Sequence, residues 1–152
     1  MEEMSISIPG DNEGFILLKC QHCGELFKLQ ADDIEDDRVL DVHCPGCGLI
    51  SESYVTDDVI KLATAKVENY MVDMIFDAFK DLERSTRNNL VQFKVGKRPE
   101  RNHEDTITSG IQALRKVYMQ CCNRKAKIKP LLIMTGCYCP FCGVKDYEIK
   151  PE

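Results

Sequence analysis

Tryptophan is absent from this 152-residue chain. No stretch approaches the ~18 consecutive apolar residues that mark a transmembrane helix. The opening residues, Met1-Glu2-Glu3-Met4, hold neither a basic n-region nor an apolar h-region, so no secretory leader is expected. There is no Gly-x-Gly-x-x-Gly, no Walker loop and no Gly-x-Ser-x-Gly elbow, which removes the commonest nucleotide-binding and hydrolase signatures. No segment is low in complexity; 43% of residues are apolar and 30% charged, so wholesale disorder is not expected. The length fits one ordinary domain, or two very small ones sharing a core. The expectation is a cytoplasmic protein in a reducing compartment, without membrane contact and without enzymatic activity.

Cysteine is what the chain has in excess. Nine occur, at 20, 23, 44, 47, 121, 122, 137, 139 and 142. An odd number without a secretory signal argues against a disulfide framework, and clustered Cys-x-x-Cys pairs in a reducing compartment read as metal ligands. The first constellation is Cys20-Gln21-His22-Cys23, then Cys44-Pro45-Gly46-Cys47. Two residues between cysteines let a tight turn present both sulfurs on one side, and two such turns can enclose a tetrahedral ion at ~2.3 Å from sulfur. Gly24 and Gly48 follow the pairs, where positive φ is often required. His22 and His43 adjoin ligands, but four cysteines already complete the shell, so each reads as a bystander or an outer donor.

Laying the two ends together exposes a second constellation. Cys23-Gly24-Glu25-Leu26-Phe27-Lys28-Leu29 parallels Cys122-Asn123-Arg124-Lys125-Ala126-Lys127-Ile128, and Cys44-Pro45-Gly46-Cys47-Gly48 parallels Cys139-Pro140-Phe141-Cys142-Gly143. The pattern reads as a degenerate internal repeat. Its gap is at Cys20, which aligns with Met119, a poor zinc ligand. Cys122, Cys139 and Cys142 are firm, and the fourth ligand is Cys121 or Cys137. Residues 137 and 139 share a face if extended, whereas Cys121 and Cys122 point oppositely in a strand unless a local turn intervenes. The balance therefore leans to Cys137. An open fourth position would suit catalytic zinc, but only Glu148 is placed as a conceivable base, so no catalytic residue is assigned.

Through these Cys-x-x-Cys pairs both ends resemble zinc ribbons of the rubredoxin-type knuckle class. The resemblance covers about half the chain and implies two structural Zn2+ ions. The class occurs in transcription factors, polymerase subunits, ribosomal proteins and adaptors, so it implies fold far better than activity.

The middle changes period. From Ile60 through Ala63, Val67, Met71, Met74 and Ala78 to Leu82, apolar residues recur every three or four positions, and neither Gly nor Pro interrupts residues 57–95. A helix is expected over about 57–88, its stripe a core or dimer seam. A second helix is expected over about 103–116, with Ile107, Ile111, Leu114 and Val117 or Tyr118 as its stripe. The expected fold is α+β: a flexible segment over 1–14, a ribbon over 15–56, a helical region over 57–116, and a ribbon-like element over 117–152. Phe15–Leu18, Phe27–Leu29, Ile50–Val55 and Leu131–Met134 read as strands. Residues 31–37 read as an acidic loop.

Charge is segregated. Residues 1–79 carry 5 Lys/Arg against 17 Asp/Glu, and residues 80–129 carry 13 against 5. One reading is a phosphate-binding surface built from Lys94, Lys97, Arg98, Arg101, Arg124, Lys125, Lys127 and Lys129. The other is two halves of one protein, or of a homodimer, that complement each other electrostatically. The functions in play are a zinc-stabilised nucleic-acid-binding or regulatory protein, a protein–protein adaptor or accessory subunit, and a thiol-based redox sensor.

Overall fold

A computed structural model describes residues 3–108, 110 and 113–152. The architecture is α+β, with a long helix in the middle and strands towards both ends. The chain divides into two compact units. One comprises residues 1–57 with 107–152, and the other residues 58–106.

The first unit is built on a five-stranded antiparallel sheet. Its strands are β1 (Phe15–Lys19), β2 (Leu26–Gln30), β3 (Arg115–Met119), β4 (Arg124–Ile128) and β7 (Lys150–Pro151), in the order β1-β2-β4-β3-β7. Short helices α1 (Ala31–Ile34) and α3 (Pro130–Thr135) follow β2 and β4. β5 (Cys137–Tyr138) and β6 (Lys145–Asp146) form a two-stranded hairpin. Alternation sorts the side chains: Leu18, Phe27, Leu29, Val117, Met119, Ala126 and Ile128 pack on one face with Cys137, Cys139, Phe141 and Ile149. Tyr54 closes this core edge-on against Phe27, ring centroids 5.7 Å apart, and its hydroxyl donates to the carbonyl of Val42 at 2.5 Å.

The two halves of this unit are equivalent in register. Leu18 pairs with Phe27 as Val117 pairs with Ala126, and Lys19 with Leu26 as Tyr118 with Lys125. The bridge between His43 and Ile50 corresponds to the pairing of Tyr138 with Lys145. Each hairpin leads into a short helix, with extended caps at Gln30 and Lys129. The halves join through their own equivalents, because Lys28 of β2 lies opposite Lys127 of β4. Both ribbon-like ends therefore share one sheet and one core.

Several expectations are corrected. No helix occupies 103–108, which has no regular structure, and Arg115–Met119 is a strand; Ile111 lies outside the described residues. Val117 and Met119, two residues apart, enter the core, so period two overrides the helical spacing read from Ile107 onward. Leu131–Met134 is helical, because Pro130 at the first helical turn presets φ and loses no needed N–H there. The acidic loop holds the single turn α1, and the Ile50–Val55 strand reduces to the one bridge at Ile50. The segment read as flexible is tied down at its end. Asp11 Oδ1 accepts from the N–H groups of Glu13 and Phe15, both at 3.0 Å, and Asp11 N–H donates to Phe15 O at 2.8 Å.

The second unit contains most of α2 (Asp57–Thr86) and a strap that runs back along it. Asn69 is buried and clamps the strap. Its Nδ2 donates to Asn102 O at 3.0 Å and to Glu104 Oε1 at 2.9 Å, and its Oδ1 accepts from Asn102 N–H at 2.7 Å. Asp73 holds Arg98 at 2.5 Å and Arg101 at 3.3 Å. Phe79 and Phe93 meet with centroids 5.8 Å apart. No helix among the described residues is long and apolar enough to cross a membrane.

Candidate metal centres

Three of the four cysteine turns share one geometry. Gly24, Gly48 and Gly143 N–H groups donate to the carbonyls of Cys20, Cys44 and Cys139 at 3.0, 2.8 and 2.8 Å. The N–H groups of Cys20, Cys44 and Cys139 return to the carbonyls of Glu25, Leu49 and Val144 at 2.9, 3.0 and 2.8 Å. Each glycine sits at positive φ, between 73° and 75°. That conformation is costly for any residue with a Cβ, which explains the Cys-x-x-Cys-Gly pattern.

The fourth turn keeps the backbone and moves the sulfur. Asn123 supplies the positive φ, at 58°, and its side-chain oxygen accepts from Tyr118 Oη. Met119, at the place of Cys20, is 1% exposed in the core. Cys121, two residues on, stands beside Cys142 with sulfurs 3.5 Å apart.

The cysteines gather into two groups, Cys20 with Cys23, Cys44 and Cys47, and Cys121 with Cys122, Cys139 and Cys142. Within each group the sulfurs all lie within 4.8 Å of one another, and each group can hold a metal ion. In the first, Cys20 and Cys47 sulfurs are 3.8 Å apart, and those of Cys23 and Cys44 3.5 Å. Gly46 N–H reaches Cys44 Sγ at 3.3 Å. Four thiol donors converging on a point fit a tetrahedral thiophilic ion.

Acidity differs around the rings. Burial pushes the Cys44 and Cys139 thiols far up, and Cys122 up to about 11. Burial opposes the Cys20 thiolate too, but N–H donors of Cys23 and His22 and the neighbouring thiols outweigh it and bring that thiol to about 7. Without a cation, buried thiolates are disfavoured; a bound cation reverses this and releases protons.

Cys137, to which the sequence leaned, stands outside both groups. It is buried in β5, and its thiol is pushed up to about 12, chiefly by burial. The turn at residues 120–123 lets the adjacent Cys121 and Cys122 face one point, which a strand would forbid. His22 Nε2 meets Ile50 O at 3.1 Å, and His43 lies beneath Gly143. Neither belongs to a group.

The two cysteine groups are tied together reciprocally. His43 N–H donates to Pro140 O at 2.8 Å, and Tyr138 N–H donates to Pro45 O at 3.0 Å. A Cβ on Gly48 would stand 2.7 Å from the Tyr138 ring, and one on Gly143 2.7 Å from the His43 ring. Sequence reading missed this handshake, whose only visible signal was the alignment of His43 with Tyr138.

The eight basic residues singled out above fare differently. Arg124 meets Asp33 at 2.6 Å and Asp36 at 2.8 Å. Lys127 meets Asp11 at 2.6 Å and Glu13 at 2.8 Å. Lys125 pairs with Glu152 at 2.7 Å, and Lys129 with Glu25 at 3.2 Å. Arg98 and Arg101 share Asp73. Lys94 and Lys97 are exposed and have no ion pair among the described residues. Six of the eight are committed to carboxylates.

No family model, curated protein or solved structure matches the chain.

Proposed function

We propose that the protein is a zinc-stabilised, non-enzymatic adaptor that acts through protein–protein contact. The observation that carries this reading is the pairing of Arg124, Lys125, Lys127 and Lys129 with carboxylates of the same compact unit. A phosphate would have to displace those partners, so the charge segregation of the sequence is spent on internal complementarity. Zinc is the metal of choice because all-sulfur, four-coordinate sites with no open position suit a structural ion. It would fix both ends of a small sheet that packing alone holds weakly. The thiol-sensor reading has less support: eight of the nine thiols have a ligand place, and the ninth, Cys137, is buried.

Nucleic-acid binding is the second reading, favoured only by the unpaired Lys94 and Lys97. Titration of the zinc-loaded chain with generic duplex DNA and with RNA across a salt series separates the two. The adaptor reading expects no salt-sensitive binding. Affinity that falls steeply with salt, and that Lys97→Ala with Arg98→Ala weakens, would establish phosphate contacts instead. The metal is checked by elemental analysis, with two zinc ions per chain expected and fewer than one overturning the assignment.

A further inference from the structure

We propose that the two cysteine centres load as a coupled pair. An ion held by Cys20, Cys23, Cys44 and Cys47 raises the affinity of the group Cys121, Cys122, Cys139 and Cys142 for its own, and the reverse, through the contact between residues 43–48 and 138–143. The inference rests on the zinc-stabilised reading above and adds to it a device that disfavours the half-loaded chain.

The contact is built on residues that flank ligands. His43 and Pro45 enclose Cys44 in the chain, and Tyr138 and Pro140 enclose Cys139. His43 N–H donates to Pro140 O at 2.8 Å and Tyr138 N–H to Pro45 O at 3.0 Å, so segments 43–45 and 138–140 pair antiparallel. Proline has no N–H, so Pro45 and Pro140 cannot add the reverse bonds. The pairing therefore depends on these two. Cys44, Pro45, Cys139 and Pro140 are buried, whereas Cys23 and Cys121, from the other pair of each centre, are exposed. Two rings close the contact: Tyr138 lies against Gly48, and His43 against Gly143.

The coupling follows from who orders whom. A small thiolate turn takes its fold from its ion. Once four thiolates fix Cys44, His43 N–H and Pro45 O already stand where Pro140 and Tyr138 need them. Ordering 138–140 then costs less conformational entropy than it would beside a loose partner. The same holds with the halves exchanged, because coupling between two binding events is reciprocal.

Two backbone hydrogen bonds and two ring contacts are of the size that gives a coupling of about ten- to a hundredfold in affinity. The β2–β4 ladder joins the halves as well. Substitution at the contact itself tells the two links apart.

The test uses the full-length, zinc-loaded chain under reducing conditions, with a competing chelator and native mass spectrometry to follow each ion. In Cys121→Ser the first centre should hold its ion about ten- to a hundredfold more weakly than in the doubly loaded chain. Cys23→Ser should weaken the second centre by a comparable factor, a reciprocity that general destabilisation does not require. Gly48→Ala should shrink the effect of Cys121→Ser, because its Cβ meets the Tyr138 ring at 2.7 Å. Gly24→Ala, at nearly the same φ but with nothing near its Cβ, should leave that effect intact. Amide exchange gives a second readout: His43 N–H should lose protection in Cys121→Ser while the first centre keeps its ion. Should a serine variant fail to fold, the wild-type chain at half release decides. Coupled centres leave fewer than about half the chains with one ion, and Gly48→Ala raises that share; a share that Gly48→Ala leaves unchanged overturns the proposal. Two ions of independent affinity, or a coupling that Gly48→Ala and Gly24→Ala alter alike, overturn it alone. Fewer than one zinc per wild-type chain overturns the zinc reading with it.

Discussion

Lys28 and Lys127 face each other directly across the β2–β4 ladder, and both ammonium groups reach the same oxygen of Asp11, at 3.5 and 2.6 Å. Like charges placed opposite one another in a sheet repel. Here they are equivalent positions of the two halves, and the β2–β4 pairing brings them together. Asp11 supplies the missing charge, and Glu13 assists through Lys127 at 2.8 Å. Lys28 is 5% exposed, which makes its counterion more than a surface ornament.

Asp11→Asn should therefore destabilise the zinc-loaded protein at neutral pH by about 1–2 kcal/mol, the lower part of the range for hydrogen bonds to charged groups because Asp11 is still partly wetted. Chemical denaturation checks this. Glu13→Gln, at a more exposed carboxylate, should cost less. Adding Lys28→Met to Asp11→Asn should recover part of the loss, since the unpaired buried charge goes with it. If Asp11→Asn is neutral, the clamp contributes nothing.

The same carboxylate carries a pH signature. Burial raises the Asp11 pKa, but Lys127 and the N–H groups of Phe15 and Glu13 more than offset that and hold it at about 2, below its ordinary 3.8. A carboxyl depressed on folding contributes stability that is fully present above its unfolded pKa. That contribution is lost as pH falls through the folded one. The stability difference between wild type and Asp11→Asn should thus be constant from neutral pH down to about 5 and shrink between about 4 and 2. Amide exchange of β2 and β4, compared between the two proteins, reads the difference strand by strand.

The cysteine turns give a graded series of glycine substitutions. Gly24 sits at φ 75° with nothing near its missing Cβ, so Gly24→Ala should cost only the conformational strain, about 1 kcal/mol. Gly24→Asn should be milder, as Asn123 occupies the equivalent place at φ 58°. Gly48→Ala and Gly143→Ala add a Cβ 2.7 Å from a neighbouring ring, of Tyr138 and His43 respectively, and should cost about 2–4 kcal/mol. Thermal melts of the metal-loaded variants test the ranking, and equal losses at 24, 48 and 143 would mean the handshake is slack.

What the sequence made legible follows physical range. Four sulfurs around an ion impose a local spacing, so the Cys-x-x-Cys pairs were readable, and the long stripe from Ile60 to Leu82 carries a period no strand shares. Non-local choices were hidden. Arg115–Met119 becomes a strand because β4 waits beside it, although Ile107 to Val117 also satisfies a helical spacing. Leu131–Met134 is too short for its period to decide between strand and helix. The repeat alignment held the clue to a joined sheet, since Lys28 and Lys127 are equivalents, but nothing local says that equivalents should pair. The position of Cys121 turned on a tight turn that Asn123 alone announced.

That last point leads to the sharpest test of the second centre. Cys121 belongs to the group of four, and Cys137 is buried outside it. Cys121→Ser should cut bound zinc from two ions per chain to about one, because an alcohol is a poor ligand where a thiolate is needed. Cys137→Ser should leave two, at the expense of stability, since it places a hydroxyl among apolar neighbours of the core. Native mass spectrometry under reducing conditions counts the ions directly. The reverse outcome, one ion without Cys137 and two without Cys121, would mean that β5 rather than the 120–123 turn closes the site. Loss of both ions in Cys121→Ser would mean that the two centres fold as one unit through the Pro45–Tyr138 and His43–Pro140 hydrogen bonds, and Gly48→Ala should then release both ions together as well.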